Sequence, residues 1–430
     1  MRIPFVILLI VSQYVLLFGQ YEPDSINHKK YKYYRERFVN AFVYVSKEPG
    51  GSCPLSIREK NGKANFGADC TCELGWYIGV LGTEILYNYK NNTDYSDAVK
   101  ELWHALYAIN RFDIRADEIY NSPEENYLNG FIIRADVETG FIENNPEVNN
   151  HFNQKDENGK LKYSLYEVNH THSMLQRFMD NPEKKYLSPE VSHDQFWSML
   201  LGLFIAIKSL DQLPPQYYME NGQILYFQDS VADINQEAKN IVQRITGYLN
   251  KDKFMLYNPG TGKKVHTGCN AIVFKKPTLT ACNIFTGTNY KIRGIGWQVL
   301  KRFYIHLEEF KSLANAAYSD SWKDWFGRNV TTKHLKRKSL KYNMPIFILI
   351  HQFLFDYDYP YDYDFLKLIS CAPYRGPYND GTFAHVEWSS TQRFEHTRRI
   401  GLTHSPFPGD YNGLDYMLLH NLYYLLEMRK

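Results

Sequence analysis

Four segments of this chain are apolar on nearly every helical face, and that limits the folds open to it more than any other feature. They are Cys72–Asn88, Ser192–Leu210, Asn343–Asp356 and Asn412–Met428. A helix of this kind has no side to give to water and must be covered from several directions. Other segments are striped. In Tyr95–Asn110, Val99, Leu102, Trp103, Leu106 and Ile109 recur at spacings of three and four. In Ser230–Asn250, Ile234, Ala238, Ile241, Val242 and Ile245 do the same. Such a stripe marks a helix with one buried face, so Tyr95–Asn110 is expected to bury only its Val99/Leu102/Leu106 side.

Buried helices that alternate with half-wet helices imply two concentric layers, an inner set covered by an outer set. The expected fold class is therefore all-α, with one domain over residues 21–430. That domain should have an irregular N-terminal section and long irregular loops. The longest loop stretch runs from Phe112 to Ser164, with turn signals at Asn121-Ser-Pro, Asn129-Gly and Asn158-Gly.

Residues 1–20, MRIPFVILLIVSQYVLLFGQ, combine Arg2 with a short apolar run and small Gly19. This is the pattern of a cleaved signal peptide. The run is short for a membrane span and polar at Ser12, Gln13 and Tyr14. A secreted or periplasmic protein is expected, with no stable membrane insertion after cleavage. Export permits disulfides among the 6 cysteines. Cys70-Thr-Cys72 lacks zinc-site spacing, and Cys269 with Cys282 could close a local loop. The net charge of +2 gives no footprint for nucleic acid. The Lys333, Lys336, Arg337, Lys338, Lys341 cluster reads as a solvated helix face.

Three constellations could carry chemistry. Ser192-His193-Asp194-Gln195 precedes a buried helix. Ser192 and Gln195 make a capping box, which accounts for those two and leaves His193 and Asp194 over. A carboxylate in a first turn lies near the positive helix end, which keeps it ionised. In Phe131-Ile-Ile-Arg134-Ala-Asp136, the alternation suggests an extended segment with Arg134 and Asp136 on one face. They would pair with each other or face a sugar acid. The third runs from His385 through Glu387, Trp388 and Arg393 to His396, followed by Tyr411 and Asn412. It reads as surface ion pairing or as a loop-borne site. His170-Thr-His172 looks like a helix start, where the two rings diverge, so no metal is expected. Neither a Walker loop nor a Gly-x-Ser-x-Gly elbow occurs, and no cofactor is expected.

The alternating helices over most of the mature chain resemble the α/α toroid of the six-hairpin glycosidase superfamily. The segments LGWYIGVLGTE, ELWHALYAINRFD, LNGFIIRADV, SHDQFW and GDYNGLDYMLLHNLYYL are also similar to exported proteins of unassigned activity. The toroid resemblance implies a glycan substrate and inner-helix acids that point into a central cavity, a placement that Asp194 matches. The expected activity is glycoside hydrolysis, with Asp194 and Asp136 as the carboxylate pair. Arg134, His193, Glu387, Trp388, Arg393, Tyr411 and Asn412 would line the cleft. A uronate lyase, using Tyr or His as base, and a non-catalytic glycan-binding or surface-assembly protein are the other readings.

Overall fold

The computed structural model describes residues 23–44, 53–54, 57–58, 64–65, 70–120, 128–134, 136–137, 148–149, 166–167, 191, 193–227, 232–251, 256–260, 262, 265, 349–350, 352–356, 365–370 and 413–429. Helices make up 71% of the described residues, so the described part of the protein is mostly helical. The long helices are α1 (Pro23–Phe42), α2 (Cys70–Lys90), α3 (Ser96–Tyr120), α4 (His193–Leu210), α5 (Ile234–Lys251) and α7 (Leu414–Glu427). Short α6 spans Phe365–Ser370. The described strands are two residues long: β1 (Val43–Tyr44) pairs with β2 (Cys53–Pro54), β4 (Ala64–Asn65) with β3 (Ile57–Arg58) and β6 (Val148–Asn149), β5 (Asp136–Val137) with β7 (Tyr166–Glu167), and β8 (Met219–Glu220) with β9 (Gln223–Ile224). No helix among the described residues is long and apolar enough to cross a membrane.

The core is organised around α2 and α4. Leu74, Tyr77, Ile78 and Leu81 on α2, with Leu200, Leu203, Phe204 and Ile205 on α4, are all buried. The two helices meet along a seam of small residues, Gly75, Gly79 and Gly82 against Ser198, Gly202 and Ala206. A Cβ on Gly202 would strike the Gly75 carbonyl, and one on Gly75 would strike that of Ser198. The backbones therefore touch without intervening side chains. Buried hydroxyls on both helices turn back into their own ladders, Thr83 donating to the Gly79 carbonyl and Ser209 to that of Ile205. Helix α7 packs on α2, α5 on α4 and α3, and α1 and α6 on α7.

Three of the four fully apolar segments form helices as their pattern predicts, with α4 and α7 starting one and two residues later than expected; of the fourth, Asn343–Asp356, only residues 349–350 and 352–356 lie among the described residues. Helix α5 keeps its stripe, burying Ile234, Ala238, Ile241, Val242 and Ile245 and exposing Gln236 and Gln243.

Three expectations are corrected. Helix α3 is not half-wet: His104, Ala105, Ala108 and Asn110 are buried along with the predicted face. Tyr218 and Phe227, flanking the β8–β9 hairpin, sit 5.4 and 5.0 Å from Trp103, and Glu237 and Arg244 of α5 cover Asn110. Nor does α3 end at Asn110. Phe112, Ala116 and Tyr120 continue the buried stripe at spacings of four, with no breaker before Asn121-Ser-Pro. The irregular N-terminal section contains instead the 20-residue α1. Its buried stripe, Asn27, Lys30, Tyr34, Phe38 and Phe42, has helical spacing. Two of those positions are polar, so a search for apolar period passes over them.

Candidate functional site

The segment that carries Arg134 and Asp136 is set into the helices by a buried polar clamp. Asp113 and Asp117 lie four apart on the last turns of α3 and face the Asn129-Gly130 turn. The Asp113 carboxylate accepts the Gly130 N–H at 3.0 Å, and Asn129 Nδ2 donates to Asp117. Asn129 Oδ1 accepts the Phe131 N–H at 2.7 Å, closing an Asx turn. Gly130 has φ +91°, and a Cβ there would strike the Arg244 carbonyl of α5. Only glycine meets both conditions.

The Arg244 side chain completes the clamp. Its Nε lies 3.4 Å from Asp113 Oδ2, it donates to Asn110 Oδ1, and Asn110 donates to Glu237 at 2.7 Å. Phe131, Ile132 and Ile133 are then wholly buried, and Phe131 packs on Tyr120 and Tyr248. The expected in–out alternation along these residues is therefore absent, because α3 and α5 enclose the segment from both sides. Arg134, half-buried, is the first residue to emerge. Asp136 opens β5 (Asp136–Val137), which pairs in parallel with β7 (Tyr166–Glu167).

His193 and Asp194 are the first two residues of α4, whose described side chains are nearly all buried. The side chains of His193, Asp194 and Asp136 lie outside the described residues, as do Glu387, Trp388, Arg393, Tyr411 and Asn412. So do His170, His172, residues 1–20, Cys269, Cys282 and Cys371. Helix α5 packs on the 128–134 segment, Tyr248 meeting Phe131 at 5.3 Å, and it also packs on α4, with Lys239 bound to Asp211 just past that helix's C-terminus.

Burial pushes the Asp113 carboxyl up to about 6, outweighing the attraction of Arg244 and the Gly130 N–H. Because the folded value lies above the ordinary 3.8, the protonated acid favours the folded state. Its contribution is fully present below 3.8 and is lost as pH rises through 6. The stability of the wild type relative to Asp113→Asn should accordingly fall between pH 4 and pH 6 and level off above. Urea titrations at several pH values would measure this, and a constant difference would contradict it.

A second buried polar group went unseen in the sequence. Arg35 of α1 donates to Glu84 of α2 at 2.6 Å and to Glu101 of α3 at 2.7 Å. Tyr31 donates to Glu84 at 2.7 Å, and Tyr77 to Glu101. Burial raises Glu101 above the usual carboxylate range. These acids are engaged by one guanidinium and two phenols, so the arrangement ties three helices together and leaves no free acid–base pair. Spacings of 49 and 66 residues carry no local signal. Asp113 and Asp117, by contrast, were legible as a one-face pair once α3 is extended past Asn110.

No protein-family model, no curated protein and no solved structure matches this chain.

Proposed function

We propose that this protein is an exported carbohydrate-active enzyme on an α/α toroid, and that it hydrolyses glycosidic bonds in a polysaccharide or oligosaccharide. The observation that supports the reading is the alternation along the chain of α2, α3, α4 and α5. Helices α2 and α4 pack directly on each other, α3 packs on α2 and α5 on α4, and the acid-bearing first turn belongs to α4. Asp194 and Asp136 supply the two carboxylates that flank the scissile bond. One is protonated and acts as acid; the other is ionised and acts as base or nucleophile. Arg134 and His193 orient the sugar, with Glu387, Trp388, Arg393, Tyr411 and Asn412 completing the cleft.

Incubation with a panel of neutral and acidic oligosaccharides tests the reaction class. New reducing ends without ultraviolet absorbance are expected. Products with a conjugated double bond would make the protein a lyase. Glycan binding without any product, weakened by Trp388→Ala, would make it a binding protein.

A further inference from the structure

The first three turns of α1 are docked by polar side chains together with the half-buried Tyr31. From Ser25 to Tyr33, Asn27 and Lys30 are the buried residues, and the buried rings Tyr34, Phe38 and Phe42 all follow. Lys30 donates to the Ile369 carbonyl of α6 at 3.1 Å, and Asn27 to Tyr424 at 3.3 Å. His28 Nδ1 lies 3.0 Å from His420 Nε2, and His28 Nε2 lies 3.2 Å from the Tyr87 hydroxyl.

The neighbours fix every hydrogen in this chain. Asn421 Nδ2 donates to the Val80 carbonyl, which can only accept, so Asn421 Oδ1 faces His420 Nδ1, 3.1 Å away. His420 therefore carries its proton on Nδ1 and accepts at Nε2. His28 must then donate from Nδ1 and accept the Tyr87 O–H at Nε2. A first added proton can settle on His28 Nε2 if the Tyr87 hydroxyl turns. A second has to enter the 3.0 Å contact, which has room for one hydrogen only.

We propose that the first three turns of α1 form an acid-released latch, held by the His28–His420 contact while both imidazoles are neutral and opened when they are protonated. The surroundings favour the neutral rings. From α1, Lys30 brings positive charge, and Tyr31 stacks on His420 at 4.5 Å. From α2 come Tyr87 and Glu84, the latter already bound by Tyr31 and Arg35. Glu101 of α3 is likewise held by Arg35. From α7, Tyr416 and Tyr424 close around the ring at 6.2 and 4.7 Å.

Burial lowers His420 from 6.5 to about 3. A depressed value means that docking is fully favoured above 6.5 and weakens as pH falls toward 3. One coupled proton changes the opening constant by about tenfold per pH unit. Opening uncovers the edge of α2 and α7 that carries Tyr87, His420 and Tyr424, while Phe38 and Phe42 keep the rest of α1 in place.

Amide hydrogen exchange on the full chain, corrected for intrinsic rates, reads this opening. Amides of residues 27–33 should lose about 50-fold in protection from pH 6.5 to 4.5, the slope approaching tenfold per unit, while those of α5 stay constant. The double variant His28→Gln, His420→Gln should abolish the slope. Three results would overturn the latch: no slope, a slope shared with α5, or a slope retained in the double variant. If that variant does not fold, imidazole nitrogen shifts of the wild type decide. Both rings should be neutral with Nδ1–H at pH 7. An imidazolium at His420 while residues 27–33 remain protected would refute the proposal.

Discussion

Gly202→Val should leave little or no folded protein. The site lies midway along the α2–α4 seam, and the atoms that an added Cβ meets are the Gly75 carbonyl oxygen, carbonyl carbon and Cα. Backbone of a buried helix cannot rotate aside as a side chain can. The helices would have to separate along their length, giving up contact at Gly79 and Gly82 as well. Overpacking of a core commonly costs ~1–3 kcal/mol when side chains can adjust. Here they cannot, and the loss should approach the whole stability of a domain, ~5–15 kcal/mol. Leu201→Met, at an equally buried neighbour, should cost less than ~1.5 kcal/mol. Soluble yield and urea unfolding of the two variants make the comparison. A Gly202→Val protein with the wild-type midpoint would mean that α2 and α4 do not meet at these glycines.

On the proposed glycoside hydrolysis, Asp194→Asn should abolish turnover of the glycan while leaving its binding largely intact. The amide keeps the shape of the carboxylate but cannot donate an acidic proton, act as base or attack as nucleophile. General acid–base groups contribute ~10²–10⁴-fold in rate, so the loss should be plain in kcat with KM little changed. Asp136→Asn should be as damaging if it supplies the second carboxylate. Because Asp194 lies in the first turn of a buried helix, circular dichroism and a thermal melt must accompany the assay. A variant that melts like the wild type and keeps full activity would remove Asp194 from the mechanism.

The sequence by itself determined the helices whose burial depends on their own apolar content. Segments α2, α4 and α7 are apolar all round, and α5 is striped. Transfer of such surfaces out of water drives burial whatever the neighbours are, so a one-dimensional pattern is enough to find them. It was not enough where burial is polar. Helix α1 buries Asn27 and Lys30 because Tyr424 and the Ile369 carbonyl satisfy them from more than 300 residues away. The last turns of α3 looked like loop because Asp113 and Asp117 interrupt the apolar run. Both are buried, Asp113 against Gly130 and Arg244 and Asp117 against Asn129. Gly202 lies inside an apolar stretch with nothing local to mark it, yet it is where two backbones touch. A buried polar group is tolerable only when its partner is present, and a glycine is required only where another chain segment comes close. Both conditions belong to pairs of residues distant in sequence, so only the tertiary structure decided them.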